Sequence, residues 1–223
     1  MIAENLHKVS GEIPSGITLA AVSKFHPAEA IMQAYDAGQR VFGESRVQEL
    51  TGKASILPTD IEWHFIGHLQ TNKVSQLLRI DNLKLIHSID SDRLLKIVDN
   101  EAVKAGRNID VLLEIHVADE DTKSGFSSDE LLQWMTDRKF ENLKATHIRG
   151  VMGMATNTDD TSRIRADFRA IRQCYNRIIS EIAPDLRRFD IVSMGMSNDY
   201  HIAIEEGTTM VRIGSSIFGE RAF

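Results

Sequence analysis

Lys24 closes an apolar run, Leu19-Ala20-Ala21-Val22-Ser23-Lys24, and is followed by Phe25-His26-Pro27. Such a run, bounded by polar residues, reads as a short buried strand with the lysine at its carboxyl end. There the amine is either a solvated terminus or a nucleophile held for covalent chemistry, and the second role requires the chain to build a pocket around it. Two later stretches offer what an anion needs. Ser193-Met194-Gly195-Met196-Ser197 leads into a helical pattern, so the Ser197 hydroxyl falls beside free backbone amides at a positive helix end. Arg212-Ile213-Gly214-Ser215-Ser216 ends the following strand, where Gly214 lets a phosphate come close to the backbone. Taken singly, Ser197 is equally a helix cap and Gly214 equally a turn. Arg212 shares a strand face with Gly214, and an ordinary ion pair at the sheet end is its competing reading.

The elements that must position these groups alternate in type. Leu6, Val9 and Ile13 at helical spacing predict a first helix, stopped by Pro14 and Gly16. After the Lys24 strand, Pro27 opens a helix with Ile31 and Ala34 inward, and Gly38 ends it. Strands are predicted at Arg40–Glu44, Glu62–Gly67, Leu83–Ile89, Asp110–Val117, Ile148–Ala155, Phe189–Met194 and Met210–Phe218. Between them fall helices opened by Ser45-Arg46-Val47-Gln48 and Ser127-Ser128-Asp129-Glu130, both of capping-box form, and helices over 71–78, 91–105 and about 198–206. A long one carries Ile164, Phe168, Ile171, Tyr175, Ile178 and Ile182 at spacings of three and four. Eight strands alternating with helices imply a parallel sheet, since each crossover helix returns the chain to the same end. With 223 residues and no compositional break, a single (β/α)8 barrel over 1–223 is expected in preference to an open doubly wound sheet. The chain stops soon after its last strand, so the first helix is expected to close the ring.

Composition narrows the function classes. A formal charge of -6 argues against a general nucleic-acid or anionic-membrane surface, and any phosphate must be met by a local site. The single cysteine, Cys174, excludes an internal disulfide. No apolar run approaches the ~18 residues of a membrane span, and Met1-Ile2-Ala3-Glu4-Asn5 lacks the features of a signal peptide, so a cytoplasmic protein is expected.

Barrel active sites lie at the carboxyl ends of the strands, and the loops after the seventh and eighth strands are the usual phosphate cradle. That rule gathers Lys24, Ser197, Arg212, Gly214 and Ser215 at one mouth. A lysine amine opposite a phosphate cradle is the arrangement pyridoxal 5'-phosphate requires, its aldehyde meeting the amine as an imine and its phosphate anchoring the far side. Arg212 could then face the pyridine nitrogen and keep it unprotonated, because a fixed cation disfavours a second positive charge. His64, His68, His87 and His116 lie on or near strands without metal-ligand spacing, so no metal is expected. Lys73 reads as a surface residue, and Lys123-Ser124-Gly125-Phe126 as a solvated loop or a gate over the pocket.

Seven segments taken together resemble the pyridoxal phosphate homeostasis proteins: Ala21-Val22-Ser23-Lys24, Phe42-Gly43-Glu44, Trp63 through Lys73, Lys123-Ser124-Gly125-Phe126, Ile148 through Met154, Ser193 through Asp199, and Val211 through Gly219. They run in order from about residue 18 to the end. The resemblance implies a barrel like that of alanine racemase, the cofactor on Lys24, its phosphate held by Ser197 and the backbone around Gly214 and Ser215, and Arg212 at the ring nitrogen. It also implies a role in vitamin B6 and amino-acid balance without an accepted turnover. The family's usual asparagine after Phe-Gly-Glu is Ser45 here, a shorter side chain that is also the expected helix cap, and Ser45 is carried as a candidate cofactor contact.

Two functions follow from the same site: a carrier or buffer of pyridoxal phosphate, with apo-enzymes as recipients, or an amino-acid racemase or related enzyme. Racemisation needs proton donors on both faces of the alpha carbon, and Lys24 provides at most one. Of Tyr35, Tyr175 and Tyr200, only Tyr200 is expected near the rim. The carrier reading is therefore preferred, as a monomer. A sugar-phosphate binding module would need no lysine imine.

Overall fold

Runs rich in β-branched and large apolar residues form the strands of the computed structural model, which describes residues 1–118 and 124–219. Among the described residues these are β1 (Thr18–Val22), β2 (Val41–Glu44), β3 (Glu62–Phe65), β4 (Leu83–Ile89), β5 (Ile109–Ile115), β6 (Thr146–Gly153), β7 (Ile191–Ser193) and β8 (Met210–Ile213). Each pairs in parallel with its neighbours in chain order. Ala21 of β1 lies between Phe42 of β2 and Ile213 of β8, which closes the barrel.

The helices are α1 (Ile2–Glu12), α2 (Ala28–Asp36), α3 (Val47–Ala54), α4 (Val74–Leu77), α5 (Asp92–Lys104), α6 (Ser128–Thr136), α7 (Thr161–Arg177), α8 (Tyr200–Glu205) and α9 (Ser215–Phe218). The main core lies between them and the outer faces of the strands, with Phe42, Trp63, Phe65, Leu95, Leu131 and Phe168 fully or nearly fully buried. Inside the ring the side chains are layered. Leu85, Leu112, Met152 and Met210 form an apolar floor, and the residue two further along β4 and β8, His87 and Arg212, lies on the same strand face and begins a polar layer nearer the mouth.

The first helix packs against α9 and α2, as the ring-closing role requires, and the Asn5 amide donates to the Ile217 carbonyl at 3.1 Å. Two local expectations are corrected. The last strand ends at Ile213, not Phe218; Gly214 turns the chain and Ser215–Phe218 is helical. Ser45 opens no capping box, because Arg46 stays extended and α3 begins one residue later with no side-chain cap. At Ser127 the box forms in full, with the serine and Glu130 each satisfying the other's amide. The long helix ends in a π-helical turn, Ile178–Ile182.

Candidate functional site

A cavity of about 630 Å³ opens at the carboxyl ends of the strands, and Lys24, Ser197, Arg212, Gly214 and Ser215 all line it. Its size is that of a small-molecule site. Ser45 does not line it. Ile66, Ile115, Val117, Met154 and Met196 supply apolar wall, and Glu114 adds a buried carboxylate. A second hollow of about 670 Å³ lies outside the ring against α4 and α5 and holds none of the expected residues.

Lys24 stands two residues beyond the end of β1, in a turn completed by Phe25, whose φ of 69° is left-handed. Across the mouth, the Gly214 amide donates to Ser197 Oγ at 3.2 Å, joining the loops after β7 and β8. Ser197 is therefore no helix cap: it sits ahead of α8, whose flanking residue is Asp199. Its hydroxyl accepts from Gly214 and keeps its own proton to give. The first amides of α9, at Ser215 and Ser216, have no partner within the helix, as at any helix start. Gly195 (φ 96°) makes the bend between these parts, and a Cβ there would lie 2.6 Å from the Ala203 Cβ.

Arg212 is buried and fixed from two sides. Nη1 donates to the Ser193 carbonyl at 2.8 Å and to Ser193 Oγ at 2.7 Å, and Nη2 donates to the Gly153 carbonyl at 3.1 Å. A guanidinium has five N–H groups. Nε–H and one Nη2–H of a cavity-lining side chain are thus left with no protein acceptor among the described residues. Burial pulls the Arg212 pKa down to about 10, opposed by Asp199 and Glu114, so it remains cationic at neutral pH. Burial raises the pKa values of Glu114 and Asp199; the carboxylate of Asp90 adds to the rise at Glu114.

Behind Arg212 runs a chain of groups that strand-by-strand reading did not connect. Ser193 Oγ lies 3.2 Å from His87 Nδ1, and His87 Nε2 lies 3.0 Å from His64 Nδ1. Burial lowers the His64 pKa to about 4 and that of His87 well below its ordinary value, with His64 and Arg212 adding to the effect at His87. Both rings are neutral at pH 7, each with one donor and one acceptor nitrogen, so hydrogens point one way along Ser193, His87 and His64. The signal available in the sequence was parity: His87 shares a strand face with Leu85, whose β3 partner is His64.

His68 pairs with Asp90 at 3.4 Å, and no group of three or more His, Cys, Asp or Glu side chains is arranged to hold a metal among the described residues. Lys73 lies in the 3-10 turn over 71–73, away from the cavity. Lys123 lies outside the described residues; Ser124 lines the cavity, and Phe126 is buried and bonded through its backbone to Glu114 and His116. The Tyr200 hydroxyl donates to Glu12 of α1; burial, and then that bond, raise its pKa to about 12, and the side chain does not line the cavity.

Comparison with known proteins gives the family and the fold. The family model for the alanine racemase N-terminal domain matches residues 1–222. The pyridoxal phosphate homeostasis protein of Aquifex aeolicus is 38% identical over 207 residues, covering 92% of this chain and 87% of that protein. That of Schizosaccharomyces pombe is 34% identical over 206 residues, covering 92% of this chain and 84% of that protein. The chain belongs to the pyridoxal phosphate homeostasis protein family. A solved homologue, PipY of Synechococcus elongatus with pyridoxal phosphate bound, superposes with a TM-score of 0.89 at 34% identity, covering 98% of this chain and all of that one. The family's barrel is thus the fold found here.

Proposed function

We propose that this chain binds pyridoxal 5'-phosphate on Lys24 and serves in intracellular vitamin B6 homeostasis as a carrier or buffer. The observation that carries the reading is one cavity presenting the Lys24 amine, the Ser197 and Ser215 rim, and two uncommitted N–H groups of Arg212. These residues fit the cofactor's chemistry. When bound, it supplies an aldehyde that joins an amine as an imine with loss of one water, and a pyridine ring that withdraws electrons. Lys24 provides the amine. Ser197 would donate a hydrogen bond from its hydroxyl to the phosphate, beside the amides of Ser215 and Ser216. Arg212, still cationic, would face the ring nitrogen with its uncommitted N–H groups and keep it unprotonated, which would weaken the ring as an electron sink.

The same geometry supports binding without dedicated turnover. A racemase needs a second proton donor facing Lys24, and the Tyr200 hydroxyl is committed to Glu12. We place the protein in the cytoplasm as a monomer, with apo-enzymes as recipients. No helix among the described residues is long and apolar enough to cross a membrane, which is compatible with that placement.

The test is spectroscopic and chemical. Protein loaded with pyridoxal phosphate should absorb in the near-visible range, borohydride should fix the label, and peptide mass spectrometry should locate it on Lys24. Lys24→Ala should abolish the band. A label on another side chain refutes the assignment. Turnover of L-amino acids near the common enzyme range of about 1 to 1000 per second would favour the racemase reading instead.

A further inference from the structure

The turn that presents Lys24 is gripped by a buried ionic cluster built from α3 and the end of β2. The Lys53 ammonium has three protons, and each has an acceptor: the Ser23 carbonyl at 2.9 Å, Glu44 Oε1 at 2.7 Å and Glu49 Oε1 at 2.6 Å. Glu49 Oε1 also accepts from the Phe25 amide at 2.6 Å, and Ser23 Oγ donates to Glu44 Oε1 at 2.6 Å. Lys53 is 8% exposed and Glu44 fully buried. With every ammonium proton engaged, Lys53 is no rival nucleophile to Lys24.

The placement of two of these bonds is what matters. The Ser23 carbonyl belongs to the peptide group before the Lys24 Cα, and the Phe25 amide to the peptide group after it. One cluster therefore holds both peptide planes that flank Lys24, and those planes set the direction in which its side chain leaves the backbone. The next residue adopts a left-handed φ of 69° without being glycine. Strain of that kind persists only where the surroundings over-determine it, and the grip on Ser23 and Phe25 does so.

We propose that Lys53, with Glu49 and Glu44, is a positioning unit for the Lys24 amine: it fixes the turn so that the amine meets the aldehyde at the angle required for covalent capture. This rests on the assignment of Lys24 above. A purely structural ion pair would contribute stability and leave the capture step alone, so the experiment separates the two. Capture of pyridoxal phosphate is followed by absorbance in stopped flow. Binding of pyridoxine 5'-phosphate, which has an alcohol in place of the aldehyde, reports the phosphate and ring contacts alone.

Lys53→Met and Glu49→Ala should each slow capture by roughly tenfold or more, with affinity for pyridoxine 5'-phosphate unchanged. Glu49→Gln keeps an oxygen for the Phe25 amide and should restore most of the rate. If Lys53→Met does not fold, Glu49→Ala and Glu49→Gln carry the comparison. Capture at the wild-type rate in Glu49→Ala overturns the inference, as does a parallel loss of analogue affinity, which marks general collapse of the mouth. A wild-type borohydride label elsewhere than Lys24 is a different result: it removes the parent assignment, and this inference with it.

Discussion

Ser197 accepts the Gly214 amide at 3.2 Å, so its own proton is available to a ligand held between the loops after β7 and β8. A hydroxyl donating to a phosphate is a hydrogen bond to a charged group, worth about 1.5–3 kcal/mol, or roughly 10- to 100-fold in affinity. Ser197→Ala should weaken pyridoxal phosphate by that factor and leave pyridoxal, which has no phosphate, unaffected. Titrations of both aldehydes against wild type and variant decide the matter; an equal loss for the two would place Ser197 away from the phosphate. That Lys24, Ser197 and Arg212 line one cavity was legible in the sequence, because each stands at or near a strand end where the barrel rule places a site. Lys53 was not. Its role depends on α3 laying it over the end of β1, a contact between segments 30 residues apart that no spacing rule encodes.

At the scale of elements, the same sequence signal gave opposite outcomes. Ser127 and Ser45 each precede a Glu or Gln by three residues, yet only Ser127 caps a helix. The difference is tertiary. A Cβ at Gly67 would lie 2.1 Å from the Ser45 carbonyl, so that stretch of backbone is pressed against the loop after β3. Arg46 remains extended, and its guanidinium lies 4.8 Å from the Phe25 ring centroid. Ser127→Ala should therefore destabilise the protein by about 1 kcal/mol in urea unfolding, whereas Ser45→Ala should change it by less than about 0.5 kcal/mol. Equal losses would mean that Ser45 caps α3 after all. The order of strands and helices needed no such context, since short apolar runs bounded by turn residues read as strands and apolar spacings of three and four as helices. The ends did, and the stretch after Ile213 was misread because Ser215–Phe218 is too short for helical periodicity to register.

For the molecule as a whole, the buried polar layer sets how stability depends on pH. His64 has a pKa near 4 when folded against an ordinary 6.5, so between those values the unfolded chain binds a proton that the folded one refuses. Stability then rises with pH through this window and is lost on acidification, by about 2 kcal/mol from this one ring between pH 7 and pH 5. His87 acts with the same sign. Glu44, Glu114 and Asp199, whose pKa values are raised by burial, act oppositely: each takes up a proton more readily in the folded than in the unfolded chain, so their contributions favour the fold as pH falls. The wild-type profile is a sum of both, so the histidine contribution must be read as a difference. His64→Gln leaves the carboxylates in place and cannot titrate. Urea unfolding of the two proteins should show wild type losing about 2 kcal/mol relative to His64→Gln on going from pH 7 to pH 5. A gap that stays constant across that range would mean His64 is protonated inside the barrel. A charge would then enter the chain of groups that ends at Arg212 as the pH falls toward about 5, and burial would not be what keeps the ring neutral.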